Sequence, residues 1–246
     1  MIPLKDDIPS KSFPIVNITL IIINIIAFIF ELMLGSDLQS FIEQFGVIPA
    51  KYFYQGMQLY TGEVIYFSDY NRVLPLFTSM FLHGGWLHLI GNMLYLWIFG
   101  DNVEDRMGHL RYLIFYLLCG LSASFSHIMM NPDSTVPAIG ASGAIAGILG
   151  AYLFLYPYAK VVVLLPIFIF FDIIQLPALF VLGFWFVMQL FQGTLALSIE
   201  SSATGGVAWW AHIGGFVFGA IVVHIFKKKS RKPVYRDEWW LSYRNF

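Results

Sequence analysis

Pro137-Ala-Ile-Gly-Ala-Ser-Gly-Ala-Ile-Ala-Gly-Ile-Leu-Gly150 is the stretch on which the reading of this chain turns. One hydroxyl, Ser142, stands between Gly140 and Gly143, and the apolar run behind it continues to about Leu155. The run is as hydrophobic as a membrane helix, so Ser142 sits at the mouth of one. Flanking glycines let another backbone, or a substrate, come close to the hydroxyl. Hydrolase elbows of the Gly-x-Ser-x-Gly type use small neighbours in the same way, although only Gly-x-Ser-Gly is present here. Taken alone, the tetrapeptide is better read as part of a packing face made by Gly143, Gly147 and Gly150. The rest of the chain has to change that reading.

Of 246 residues, 58% are hydrophobic and 12% charged, whereas soluble domains carry about 25% charged residues. The composition is that of an integral membrane protein. A net charge of -1 gives no case for nucleic-acid binding. The single cysteine, Cys119, leaves no internal disulfide and no cysteine-based metal cluster. Six apolar segments, near 14–34, 81–99, 111–130, 140–156, 172–192 and 206–226, are long enough to cross about 30 Å of hydrocarbon. The first is too long for a typical signal sequence and reads as a retained span. The expectation is an all-α membrane protein with a tail over 1–13, a six-span unit over 14–226 and a basic, aromatic tail over 227–246. Residues 35–80 form the longest connection, and their mix of tyrosines and polar residues suits a structured, membrane-associated outer loop. Val161–Phe171 is apolar but broken by Pro166. It is expected as a shallow interfacial lead-in to the fifth span, with one long kinked helix as the alternative.

Lysines and arginines set the orientation. Lys227, Lys228, Lys229, Arg231 and Lys232 follow the last span directly, which predicts a cytoplasmic C-terminus. An even number of spans then places the N-terminus, with Lys5 and Lys11, on the same side. Arg106, Arg111 and Lys160 fall inside on this scheme, while 131–139 and 193–205 carry no Lys or Arg and fall outside. Lys51 and Arg72 in the outer loop are mild exceptions, offset by Asp37, Glu43, Glu63 and Asp69.

That orientation brings separated polar residues to one depth. Spans two, four and six all run inward, and each carries polar groups in its first turns: His83, His88 and Asn92, then Ser142, then His212. His88 and Asn92 are spaced to share a helix face. Such groups inside a membrane are costly and mark function. The set suits acyl transfer. Ser142 needs a base, and His212 is the candidate. The Ser142 amide, His88 and Asn92 are the candidate donors to an oxyanion. Glu200 and Asp172 belong to other levels, so a Ser–His dyad fits better than a triad. Gly215 and Gly219 would let span six approach span four at Gly143 and Gly147.

Taken in this order, the motifs resemble the rhomboid family of intramembrane serine proteases over nearly the whole chain. The matching pieces are His83…His88…Asn92, Gly100-Asp-Asn-Val-Glu104, Gly140-Ala-Ser142-Gly143 and Ala211-His212-Ile-Gly-Gly215…Gly219. The resemblance implies that Ser142 is the nucleophile, His212 the base, and His88 and Asn92 the oxyanion hole. It gives His83 a structural or water-organising role and has Glu104 stabilise the inner connection. It also implies single-span membrane proteins as substrates, cut near the outer end of their helix, with no cofactor and no metal. Location in a bacterial inner membrane is expected, and neither the substrate nor the oligomeric state is specified.

Two positions depart from the family pattern. Ala146 stands where a tyrosine often stacks on the catalytic histidine, so the His212 ring must be oriented from elsewhere, with Trp209 or Trp210 as candidates. Leu74 and Pro75 replace a frequent Trp-Arg pair before His83. Gln189 and Gln192 read as gate-lining or loop-entry residues, and His127 and His224 as packing or interface residues. Three rival functions remain. Zinc on His83, His88 and His212 lacks a His-Glu-x-x-His motif, a polar-relay transporter lacks inverted repeats, and a non-catalytic client-binding relative would have lost Ser142 or His212.

Overall fold

Every one of the six apolar segments carries a helix in the computed structural model, which describes residues 1–58, 64–66, 72–167, 170–198 and 207–228. In chain order the helices are α1 (Ile15–Met33), α2 (Leu38–Phe45), α3 (Ala50–Phe53), α4 (Pro75–Thr78), α5 (Trp86–Met107), α6 (His109–Met130), α7 (Ser142–Leu155), α8 (Ala178–Ser198) and α9 (Trp209–Phe226). The strands are β1 (Ile2–Asp6), β2 (Gly56–Gln58), β3 (Val64–Tyr66), β4 (Lys160–Ile167) and β5 (Phe170–Pro177). Among the described residues four helices, α1, α6, α8 and α9, are long and apolar enough to cross a membrane. α7 is shorter and α5 ends in Asp101, Glu104, Asp105 and Arg106. The chain is a mainly helical membrane bundle, as expected.

α7 is its axis. A helix apolar on all sides is stable only when surrounded, and Gly143 through Tyr152 are all buried among α5, α6, α8 and α9. The outer helices reverse the usual pattern. On α1, Asn17, Asn24 and Glu31 recur every seven residues and face inward, while Ile22, Ile26, Ile29 and Phe30 are exposed. Polar groups inside and hydrocarbon outside is the arrangement a lipid solvent favours.

Glycines set the spacing at the axis. A Cβ on Gly215 would run into the Gly143 carbonyl oxygen, and one on Gly219 into that of Gly147. The backbones of α7 and α9 therefore touch along this seam, as the glycine spacing predicts. On its far side, a Cβ on Gly143 would meet Ala123 and one on Gly147 would meet Cys119, both on α6. The lone cysteine is a buried packing residue.

α5 starts at Trp86, later than the apolar run suggests, because Gly85 adopts a positive φ of 153° immediately before it. It ends later too, at Met107, because its polar residues find partners. Glu104 is fully buried and accepts the Val16 and Asn17 amides at 3.0 and 2.7 Å. Those amides open α1, which has no capping side chain of its own, and a carboxylate there satisfies orphan donors and complements the helix dipole. His109, on the next helix, contacts the same carboxylate through Nδ1.

The structure corrects the reading of Val161–Phe171. It is neither a shallow lead-in nor a kinked helix. β4 and β5 form an antiparallel hairpin with Lys160 opposite Pro177 and Ile167 opposite Phe170. The run of three valines favours extended backbone. Residues 1–13, read as a tail, supply β1, which pairs antiparallel with β4 to give the order β1-β4-β5. Asp6 and Asp7 fasten that edge: Asn102 Nδ2 donates to Asp6 at 3.0 Å, the Tyr152 hydroxyl also donates to Asp6, and the Lys160 amide donates to Asp7 at 2.8 Å. Between α1 and α5, the described residues include α2 to α4 and the β2–β3 ladder, so the described part of the long connection is structured. Glu63, Asp69, Glu200, Gly205, Lys229, Arg231, Lys232, Trp239, Trp240 and Tyr243 lie outside the described residues.

Candidate active site

Ser142 is the first residue of α7, so its amide has no acceptor within the helix. Its hydroxyl lies 2.8 Å from His212 Nε2, in the first turn of α9. The glycine seam between α7 and α9 is what lets two side chains on separate helices meet at hydrogen-bond distance. His212 is 7% exposed, so the base is shielded from bulk water, while Ser142 is half-buried.

His88 approaches the same point from α5. Its Nδ1 accepts the Gly84 amide at 3.3 Å, which leaves the ring proton on Nε2. That nitrogen faces Gly140. A Cβ built on Gly140 would lie 2.6 Å from His88 Nε2 and 3.6 Å from Ser142 Oγ. Gly140 also has a φ of 124°, a conformation that favours glycine. This glycine keeps open a small space bordered by the serine oxygen and an imidazole N–H.

Asn92 and His83 form a second pair. Asn92 Nδ2 lies 3.0 Å from His83 Nε2, and the His83 and His88 rings meet edge to face with centroids 5.1 Å apart. One amide hydrogen of Asn92 is held by His83; the other is free for a second acceptor. The His83 backbone amide donates in turn to both carboxylate oxygens of Glu31, at 3.1 and 3.2 Å. Glu31 thus anchors the turn before α5 to the end of α1. A single acidic residue closing a strongly apolar helix was the available signal for it.

The largest addition is on α8. His212 Nδ1 lies 2.8 Å from Gln189 Oε1, and Gln189 is 6% exposed. Its reading as a gate-lining or loop-entry residue is superseded by this contact. Trp185, one turn earlier, covers the His212 ring with centroids 5.8 Å apart and planes inclined by 34°. Trp209 meets the ring edge-on at 6.3 Å. Trp185, rather than Trp209 or Trp210, supplies the tilted face contact in place of the tyrosine that Ala146 lacks.

A cavity of about 30 Å³ adjoins Ser142, bordered by Ser79, Ser124, His127 and Gly140 among others, which is room for a water molecule. His127, which contacts Asn131, lines this small cavity near the site. Among the described residues, no three His, Cys, Asp or Glu side chains converge as metal ligands. His83 is joined to Asn92 and His212 to Ser142 and Gln189.

Fold and site together define a class: a membrane-embedded helical bundle with a half-buried Ser–His pair at the mouth of its central helix. A sequence model of the Rhomboid domain matches residues 70–229, and the chain belongs to the rhomboid family. It is 30% identical over 187 residues to the Danio rerio presenilin-associated rhomboid-like protein A, mitochondrial, covering 71% of this chain and 43% of that protein. It is 43% identical over 79 residues to the rhomboid protease GluP of Bacillus subtilis (strain 168), covering 32% of this chain and 15% of that protein. A third relative is the Saccharomyces cerevisiae rhomboid protein 1, mitochondrial, 27% identical over 161 residues, or 63% of this chain and 42% of that one. The matched regions thus span less than half the length of these relatives. Two are named as mitochondrial and one comes from a bacterium. Kinship establishes an integral membrane protein; the expected bacterial inner membrane does not follow from it.

Proposed function

We propose that this protein is an intramembrane serine endopeptidase that cuts single-span membrane proteins near the outer end of their helix. The observation that carries this reading is the 2.8 Å contact between Ser142 Oγ and His212 Nε2. Kinship with a relative named as a protease supports it. The six helices would each cross the membrane, with both termini on the cytoplasmic side. In support, β1, the β4–β5 hairpin and the α5–α6 corner meet at one end of the bundle, where the Lys228 amide also bonds the Arg106 carbonyl at 2.8 Å. Basic residues gather at that end, and Ser142 opens α7 at the other.

In this mechanism a substrate segment unwinds beside Ser142. His212 takes the hydroxyl proton on Nε2 as Oγ bonds to the scissile carbonyl carbon. Negative charge moves to the carbonyl oxygen, where the Ser142 amide, His88 Nε2–H and the free Asn92 amide hydrogen would receive it. His83 holds Asn92 in place. The imidazolium then gives its proton to the leaving amine as the peptide C–N bond breaks. Water from the adjoining cavity, deprotonated by His212, hydrolyses the acyl-enzyme and restores Ser142. No cofactor is invoked.

A fluorophosphonate tests the nucleophile directly. The wild-type protein in detergent is expected to form an adduct that peptide mapping assigns to Ser142, and Ser142→Ala and His212→Ala proteins are expected to form none. A folded wild type that stays unlabelled would favour the client-binding alternative. Removing one oxyanion donor by His88→Ala should lower kcat by about 100- to 1,000-fold; a loss below tenfold would leave the hole to the Ser142 amide and Asn92.

A further inference from the structure

Gln189 is a buried amide in a mainly apolar helix, and both ends of that amide are engaged. Oε1 lies 2.8 Å from His212 Nδ1, and Nε2 donates to the Trp185 carbonyl at 3.4 Å. Turning the amide over would set its carbonyl against the Trp185 carbonyl. It would also turn an N–H toward Nδ1. The observed orientation satisfies both neighbours, and it requires Nδ1 of His212 to carry the proton. Nε2, facing Ser142, is then the free base. The tautomer that the reaction needs is the one that Gln189 selects.

We infer that Gln189 is the positioning third member of the site, a neutral acceptor that fixes His212 in its Nδ1–H tautomer and aims Nε2 at Ser142. The inference rests on the protease reading and deepens it. Ser–His systems require something to hold the imidazole, and an amide can serve where a carboxylate otherwise does. A neutral group suits a site between membrane helices, because an additional buried carboxylate would be costly. Trp185 completes the arrangement. One turn apart on α8, the Trp185 ring covers the face of His212 while Gln189 holds its edge. With Ala146 on α7, orientation of the base passes to α8. Three helices then divide the work: α7 carries the nucleophile, α9 the base and α8 the groups that aim it.

The test combines kinetics with the nitrogen spectrum of the His212 ring, assigned by difference from His212→Ala in full-length protein labelled with ¹⁵N-histidine. In the wild type, Nδ1 is expected to be protonated. Gln189→Leu, similar in size but without an acceptor, should lower kcat by about 10- to 100-fold, the loss typical when the hydrogen-bond partner orienting a metal-ligating histidine is removed. KM and the thermal midpoint should stay near wild type, and the Nε2–H tautomer should appear. Gln189→Glu, which keeps an acceptor, should restore the Nδ1 proton and much of kcat. Wild-type kcat with an unchanged tautomer in Gln189→Leu would overturn the assignment. So would a wild-type His212 protonated on Nε2, a result that needs no Gln189 variant to fold. If the wild type neither cleaves nor labels, the protease reading fails; the ring spectrum still reports separately on Gln189.

Discussion

Ser142→Ala and His212→Ala proteins should each lose peptide-bond cleavage by about five to six orders of magnitude, the loss seen when one member of a nucleophile–base unit is removed. The 2.8 Å contact makes the two residues one device. Without His212, Ser142 keeps its proton at the moment of attack; without Ser142, the base has nothing to activate. The losses should therefore not add. A Ser142→Ala/His212→Ala protein should be no slower than either single variant, and KM should change little because neither side chain binds the body of the substrate. Losses that multiply in the double variant would mean that the two residues act independently.

The largest structural effect should come from Gly219→Leu. A side chain at this position would collide at once with the Gly147 carbonyl oxygen, a backbone atom that cannot rotate away. The α7–α9 seam would have to open, and overpacking of this kind costs about 1 to 3 kcal/mol, or more where backbone must move. A loss of about 3 kcal/mol corresponds to a fall of roughly 6 to 12 °C in thermal midpoint for a chain of this size. Fluorophosphonate labelling should fall with it, since the same seam brings His212 to Ser142. As a control, Gly183→Ala should be silent, because a Cβ at Gly183 meets nothing within 4 Å. A thermal midpoint for Gly219→Leu equal to that of Gly183→Ala would contradict the proposed packing.

The helices were legible because apolar runs of membrane length are hard to read otherwise, and the pairing of Ser142 with His212 followed from placing spans four and six side by side. The glycine seam was legible for the same reason: Gly143, Gly147, Gly215 and Gly219 repeat every four residues on helices that had to meet. Val161–Phe171 was not. A short apolar run fits a strand, a shallow helix or a lead-in alike, and the partner that settles it, Ile2–Asp6, lies about 160 residues away in sequence. The role of Gln189 was not legible, because an amide in a mainly apolar helix, here one of two with Gln192, is ambiguous until its neighbour is known. Tertiary contact with His212 supplies its meaning. Glu31 was missed on similar grounds, its acceptors being used on the backbone amide of a distant turn. Local pattern singled out the groups proposed to react, and the groups that hold them are defined by contacts between helices.

The most direct test of the central claim is cleavage in a bilayer. Wild-type protein and Ser142→Ala, purified and reconstituted into liposomes with a single-span test substrate, would be compared by mass spectrometry of the products. The account predicts one cut, near the outer end of the substrate helix, made by the wild type and absent with Ser142→Ala. An identical cut by Ser142→Ala, or no cut by a folded wild type across a panel of single-span substrates, would contradict it.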